Sequence, residues 1–338
     1  MVPITKLPLL VLAEIIHVLD FQELVSFSLC SQKSNSFVRI FRPKKSLSNW
    51  KLSMINGKWP RAIIYNNIDF LKQAQVLGAK KLSELPNTEK NEIAISGHTV
   101  PIAFFPNGQL GLCLDTFWED PVFGLKVVID YVSSLFGLDV AKVSVEKNSV
   151  WALDWVKNRQ ASPVEMGWFE CYASYTEEEF AFVMRNCRPT TSFQISATAP
   201  DTFRFHDPLP AVDELFINPG HWVTLENLLT VDSIEVIVWK SRVSNADVNA
   251  FLKHWISGGC TRLQYLNIEV ENLNMVEILG NGLVVDVDPE DRTYQKKPFG
   301  VKARFVGGYS IQREDGTKAT ISSILARKSF FMVVWPVQ

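Results

Sequence analysis

The sequence predicts a mixed α+β / α/β protein. An N-terminal three-helix segment covers residues 1–47, a β-rich section covers 48–120, and a strand–helix repeat over 121–338 ends in a hairpin cap. Three observations predict it. The opening residues carry apolar side chains at helical spacing between capping signals. The stretch to Leu114 breaks into short apolar runs divided by turn residues, and the second half returns to an apolar run about every 21 to 30 residues.

In the opening segment Leu12, Ile15, Ile16 and Leu19 lie at i, i+3, i+4 and i+7, with Pro8 near the start where a missing N–H costs nothing, so a helix begins at about Leu9. Asp20 is placed to cap a second helix, with Glu23 three residues on reaching back to the first free amide; that helix carries Leu24 and Phe27. A third short helix carries Phe37 and Val38. At 100° per residue, Leu9, Leu10, Val11 and Val18 point away from the stripe of the first helix, which is therefore apolar nearly all round and has to be covered from more than one side. A neighbourhood of ~40 residues lacks the volume to do this. The cover comes either from the rest of the chain or from another protein.

From about Lys51 the runs RAIIY (61–65), EIAIS (92–96), VPIAFF (100–105) and LGLCLD (110–115) read as strands, with Asn107-Gly108 a hairpin turn between the last two. A helix follows with Leu125, Val128, Ile129, Val132 and Phe136 on one face and Gly137 at its end. The second half holds KVSVE (142–146), MGWFECY (166–172), TSFQISA (191–197), VDELFIN (212–218), SIEVIVW (233–239) and LQYLNIE (263–269). Their centres are about 25, 25, 21, 21 and 30 residues apart, inside or just beyond the ~20–29 residue period of leucine-rich repeats, although the LxxLxLxxN signature is mostly missing. Between them, Thr176 and Glu179 form a capping box ahead of Phe180, Val183, Met184 and Cys187. Ser244 or Asn245 caps a helix bearing Val248, Phe251, Leu252, Trp255 and Ile256, stopped by Gly258-Gly259. The pattern describes a degenerate leucine-rich-repeat-like solenoid whose concave sheet suits a macromolecule. In the tail, Asp315-Gly316 reads as a type I′ hairpin turn and FFMVVW (330–335) as a buried strand, together a cap on the last repeat.

The chemistry is defined by what is missing. With 34 basic against 36 acidic residues the chain has no positive field to draw in a polyanion, so nucleic acid is not an expected partner. The run Arg42-Pro43-Lys44-Lys45 reads as a solvated link. Cys30, Cys113, Cys171, Cys187 and Cys260 show neither a Cys-x-x-Cys pair nor zinc-ligand spacing with histidine, and the chain has no Asn-x-Ser/Thr acceptor. No metal is expected, and the cytoplasm or nucleus is the expected compartment. The run Leu7 to Ala13 is broken by Glu14, His17 and Asp20 and does not read as a signal peptide. No segment approaches the ~18 apolar residues of a membrane span, so no membrane partner is expected.

No Walker loop, GxSxG, HExxH, GxGxxG after a strand or DxDxDG loop occurs, so neither catalytic residues nor a cofactor is expected. His206-Asp207 are neighbours on an extended chain and point to opposite sides, which makes His206 a turn residue; His254 falls on the outer face of its helix and His221 beside Trp222. Of the tryptophans Trp151, Trp155, Trp168, Trp222, Trp239 and Trp255, most are expected in the core and one or two on a binding face.

The Leu7-Pro8 start, the series Leu12, Ile15, Ile16, Leu19, then Phe21, Leu24, Phe27, Ser28 and the helix through Val38, resemble an F-box. SNADVNAFLKHWISGG (244–259), RLQYLNIEV (262–270) and GGYSIQREDGTKATI (307–321) are similar to the second type of F-box-associated domain of nematode F-box proteins. The resemblance divides the chain into an F-box, 1–47, and an associated domain, 48–338. Many F-boxes carry a tryptophan in the third helix; around Ser34 there is none, and Phe37 or Val38 takes that place.

The resemblance implies a non-catalytic receptor of a Skp-cullin-F-box ubiquitin ligase. Leu7, Pro8, Leu12, Ile15, Ile16, Leu19, Leu24 and Phe27 would dock on a Skp-family adaptor, and through it a cullin, while the other domain holds a protein substrate near the conjugating enzyme. Two other readings stand beside it. One is a stand-alone repeat-type binding module whose N-terminal helices cap the solenoid, in which Leu12, Ile15 and Ile16 are buried within the chain. The other is a hydrolase or transferase with an unrecognised site.

Overall fold

In the computed structural model the first helix, α1 (Leu9–Val18), follows Pro8, whose extended backbone supplies the N-cap position without a side-chain hydrogen bond. The residues described are 7–41, 47–69, 71–87, 91–106, 112–147, 149–170, 175–280, 282–295 and 302–335. The Arg42–Lys45 link, the Asn107-Gly108 turn and Cys171 lie outside them. The chain divides into two compact units, Met1–Val164 and Glu165–Gln338.

In the first unit, α2 (Phe21–Leu29) opens with the reciprocal capping box of Asp20 and Glu23. The Ser31 hydroxyl accepts from the Ser34 amide at 3.0 Å at the start of α3 (Gln32–Phe41). Then come β1 (Trp50–Ile55), β2 (Arg61–Asn66), β3 (Gln73–Lys81), β4 (Glu92–Ile95), β5 (His98–Pro106), β6 (Leu112–Trp118), α4 (Pro121–Phe136), β7 (Val140–Val145) and α5 (Trp151–Arg159). The strands lie in the order β7-β1-β2-β3-β6-β5-β4, antiparallel except where β1 meets β7 and β3 meets β6. A two-residue hairpin does occur here: Ser96 and Gly97 both have positive φ, 50° and 86°, which a type I′ turn requires, and they join β4 to β5. Helix α4 starts at a Pro121 capped by Asp120 and ends at a left-handed Gly137; its face of Leu125, Val128, Ile129, Val132 and Phe136 is buried, and it lies against β2, β3 and β6.

The second unit contains β8 (Met166–Phe169), α6 (Glu177–Asn186), β9 (Ser192–Ile195), β10 (Glu214–Ile217), α7 (Leu225–Leu229), β11 (Glu235–Val243), α8 (Asn245–Ile256), β12 (Tyr265–Val270), α9 (Met275–Gly280), β13 (Asp286–Gln295), β14 (Lys302–Gln312), β15 (Lys318–Ile324) and β16 (Ser329–Val334). Strands β8 to β12 are parallel neighbours in chain order, so that Met166, Ser192, Glu214, Glu235 and Tyr265 stand in one row across the sheet. On the alternate positions Phe169, Phe193, Ile195, Leu215, Ile217, Val236, Val238, Leu266 and Ile268 are all buried. So are the apolar faces of the intervening helices: Phe180, Val183 and Met184 on α6, and Val248, Phe251, Leu252 and Trp255 on α8. Both helices carry capping boxes, Thr176 with Glu179 and Ser244 with Asp247.

The tail closes the far edge of this sheet. β16 pairs antiparallel with β12, and β15, β14 and β13 follow. The turn between β14 and β15 is not type I′. Only Gly316 has positive φ (86°), the Gly316 amide bonds to the Arg313 carbonyl at 3.1 Å, and the Arg313 amide bonds to the Thr317 carbonyl at 3.0 Å. The loop thus takes three residues, with the glycine in the left-handed place and Asp315 accepting from the Thr317 amide.

Candidate functional site

Helix α1 has two apolar faces with different fates. Leu12 and Ile16 are each 1% exposed on a helix in contact with α3, whose Val38 is fully buried. Leu10 (82% exposed), Val11 (43%) and Val18 (80%) lie away from the side of Leu12 and Ile16, and Leu9, at the helix's open first turn, is 60% exposed. Leu9, Leu10 and Val11 are consecutive in the first turn and Val18 lies about two turns on, so exposed aliphatic side chains stand at both ends of the helix. Ile40 of α3 is exposed as well.

Side chains hold these helices to the rest of the first unit. The Ser28 hydroxyl donates to the Val25 carbonyl at 2.7 Å, so at 2.7 Å from Tyr131 it accepts the phenolic proton; the phenol in turn accepts from Asn35 Nδ2 at 2.9 Å. Burial pushes the Tyr131 phenol up from its ordinary value against the hydrogen bonds of Ser28 and Asn35 and the charge of Arg39, which keeps it a donor. Arg39 Nη1 donates to the Ser134 carbonyl at 2.8 Å and Gln22 Nε2 to the Gln75 carbonyl at 3.0 Å. Phe21 sits edge-on to Trp50 and Phe136, with centroids at 4.7 and 5.3 Å.

Of the residues the sequence assigned to docking, Pro8 is exposed, Leu7, Ile15, Leu19 and Phe27 are half-buried, and Leu12, Ile16 and Leu24 are buried in the chain's own interior. The last three anchor the helices within the chain, and the exposed apolar side chains of α1 are Leu9, Leu10, Val11 and Val18. The signal for the second set was in the sequence as the surplus on α1. Which face turned inward was not, because it depends on Val38 and the neighbouring helix.

His206, His221 and His254 have separate surroundings. His206 is exposed, and Asp207 beside it accepts from Arg185 Nε at 2.6 Å. His221 does not pack on Trp222; its Nε2 lies 3.1 Å from the Ala199 carbonyl. His254 is half-buried with its ring over Gly259, where a Cβ would fall 2.0 Å from Nε2. Trp222 and Trp255 are buried, Trp151, Trp155 and Trp168 are half-buried, and Trp239 is 41% exposed. Among the described residues no three His, Cys, Asp or Glu side chains gather as a metal site would require, and no helix is long and apolar enough to cross a membrane.

Helix α1 thus anchors by one side and leaves further apolar side chains exposed. The F-box domain family matches residues 4–46, and the F-box associated family matches residues 208–268, from the end of the loop before β10 to within β12. The chain therefore carries an F-box domain and an F-box-associated domain, a combination consistent with nematode F-box proteins; proteins with these two domains are typically non-catalytic adaptors. It is 26% identical over 345 residues to the Skn-1 dependent zygotic transcript 15 protein of Caenorhabditis elegans, covering 94% of this chain and 93% of that protein. A shorter similarity, 27% over 85 residues, relates 25% of this chain to 6% of the E3 ubiquitin-protein ligase hecw-1 of the same nematode. No solved structure matches the chain.

Proposed function

We propose that the protein is the substrate-recognition subunit of a Skp-cullin-F-box ubiquitin ligase. The observation that carries this is the outward face of α1: Leu9, Leu10, Val11 and Val18 stay in water although the helix already fills its own core with Leu12 and Ile16. Pro8 and the half-buried Leu7, Ile15, Leu19 and Phe27 belong to the same docking region, and Leu12, Ile16 and Leu24 support it from beneath. An F-box over residues 1–47 would then engage a Skp-family adaptor and through it a cullin. An associated domain over 48–338 would hold a protein substrate, with β8 to β12 and their helices acting as a degenerate leucine-rich-repeat-like solenoid capped by β13 to β16. The setting is the cytoplasm or nucleus. Catalysis is by effective concentration, not by a group of this chain.

The test is co-expression with a Skp-family adaptor and size-exclusion chromatography of the full chain and of Leu10→Asp and Val18→Asp. Burying one leucine or valine is worth about 1.5–3 kcal/mol, so each aspartate weakens the complex by roughly 10-fold or more while the melting curve is unchanged, both sites being exposed. The second reading, in which the helices are structural only, is favoured by their ties to Tyr131, Ser134 and Gln75. It requires wild type and both variants to elute without the adaptor.

A further inference from the structure

In the second unit the face of the parallel sheet opposite the helices is partly bridged. The β13–β14 hairpin folds over it: Tyr294 stacks on Tyr265 (5.2 Å, 14°) and donates its hydroxyl to Glu235 Oε1 at 2.6 Å, and Phe305 packs with Tyr265 and Val333. Beside this bridge, at the carboxyl ends of β10, β11 and β12, a groove of about 850 Å³ stays open, lined among others by Asn218, Trp239, Lys240, Asn267, Arg327 and Phe331. That volume lies within the ~300–1,000 Å³ of ligand sites.

The groove is built, not merely left over. Trp239 stands 41% exposed at its wall, edge-on to Phe216 at 5.1 Å. The next residue, Lys240, is held at a left-handed φ of 53°, with its amide donating to Glu269 Oε2 at 2.8 Å, a backbone state that a non-glycine residue adopts at a cost. Gly220 donates its amide to the Trp239 carbonyl at 2.8 Å, and a Cβ there would stand 2.4 Å from Val238 Cγ1, so only glycine lets the loop after β10 press in behind Trp239.

Two features say what the groove takes. Asn267 is 9% exposed, and its Oδ1 accepts from no donor among the described residues; Asn218 Oδ1, also lining the groove, is shielded and equally unmatched. A shielded acceptor without a partner costs about 1–3 kcal/mol, so two of them in one groove favour an occupant that brings N–H groups. Lys240 and Arg327 are exposed, and among the described residues neither side chain has a carboxylate partner, whereas Glu269 is occupied by the Lys240 amide. The amide leaves Glu269 charged, and with Arg304 paired to Asp291, Lys240 and Arg327 against Glu269 leave the lining with a surplus of one positive charge.

We infer that this groove holds an extended acidic peptide segment. An apolar side chain lies against Trp239 and Phe331, backbone N–H groups go to Asn267 and Asn218, and a carboxylate reaches Lys240 and Arg327. Calling that peptide a substrate rests on the ligase-receptor reading; its binding does not.

The experiment uses the full chain and two sets of short fluorescein-labelled synthetic peptides, followed by fluorescence polarisation. One set carries a central Leu, Phe or Trp followed by Asp or Glu; the other has Lys in place of the acid. The acidic set is expected to bind and the lysine set not. Trp239→Ala should weaken binding about tenfold or more, and Lys240→Glu with Arg327→Glu should move the preference to the lysine set. All three sites are exposed, so unchanged far-ultraviolet spectra keep folding out of the comparison. Absence of binding by either set, equal binding of both, or acidic binding untouched by the substitutions overturns the inference. The adaptor co-elution separates the two claims: an adaptor complex without peptide binding defeats the groove alone, and peptide binding without an adaptor complex defeats the receptor reading alone.

Discussion

Tyr131 is the post to which the N-terminal helices are tied, and Tyr131→Phe removes its oxygen and nothing else. The phenol is lost as donor to Ser28 and as acceptor from Asn35, at 2.7 and 2.9 Å. Ser28 keeps its own donation to the Val25 carbonyl, and Asn35 is half-buried and keeps Arg39 Nε on its Oδ1 at 2.7 Å, so no charged or fully buried donor is stranded. Two hydrogen bonds at about 0.5–1.5 kcal/mol each give a loss of about 1–3 kcal/mol. At about 2–4 °C per kcal/mol for a unit of this size, the Tm of the transition that melts α1–α3 should fall by roughly 2–12 °C. Thermal and urea melts of the full chain read this. The Ser28→Ala, Tyr131→Phe double-mutant cycle should return a coupling of about 0.5–3 kcal/mol. A Tyr131→Phe melt that overlays wild type, or a cycle that closes to zero, would mean that the helices are not held through this phenol and that their place against α4 has another cause.

The remaining expectations concern ionisable groups. Burial alone would raise the Asp288 carboxyl, but the Thr320 hydroxyl, the Glu290 amide, Arg292 and Lys318 outweigh it and hold the group below its ordinary value. Its stabilisation is therefore present above the unfolded pKa near ~3.9 and lost as pH falls through the folded value, so the gap in urea stability between wild type and Asp288→Asn should be full at neutral pH and shrink below about pH 4. A gap constant with pH contradicts this. Burial pushes the Cys187 thiol up to about 12 and Cys260 to about 11, while Cys30 is exposed. Iodoacetamide at neutral pH, read by mass spectrometry, should label Cys30 first and the other two only after denaturation; equal rates would refute the burial.

Local signals were the legible part of the fold. Asp20 with Glu23, Thr176 with Glu179, Ser244 ahead of α8 and Gly137 after α4 each lie within a few residues of the group they satisfy, and all occur where the spacing put them. The runs that became β8 to β12 were legible because strands covered by helices need apolar alternate positions. The hairpin arm was not. β13 reads DVDPEDRTYQ, polar with Pro289 at a register shift between Asp288 and Asp291, and it is ordered by β14 and by Tyr294 on Tyr265, contacts that no local pattern announces. The Asp315-Gly316 turn shows the same limit at small scale: Asp-Gly suits a two-residue turn, but the pairing of Gln312 with Lys318 leaves room for three residues between Arg313 and Thr317. The groove was outside reach for the same reason, since Asn218, Asn267 and Arg327 meet only through the sheet.

The two faces of α1 also explain why its sequence carries so few helix signals. It has no side-chain cap and no acidic residue in its first turn, and at ten residues it is shorter than the ~12–15 at which isolated helices become even marginal in water. Its helicity has to come from tertiary contact, which Leu12 and Ile16 supply against α3 while α3 itself is fastened through Asn35 and Arg39 to α4. The exposed side of α1 is therefore ordered in the free chain, so a partner that docked there would not pay the cost of folding a helix on binding. Substitutions on α1 should then sort by face alone. Leu12→Ala or Ile16→Ala lowers stability by about 2–5 kcal/mol and weakens adaptor binding only through the fraction unfolded, whereas changes at Leu10 or Val18 act on binding with the melt unmoved. A helix that folded only on its adaptor would show the opposite: no stability loss at Leu12 in the free chain, and binding losses on both faces alike.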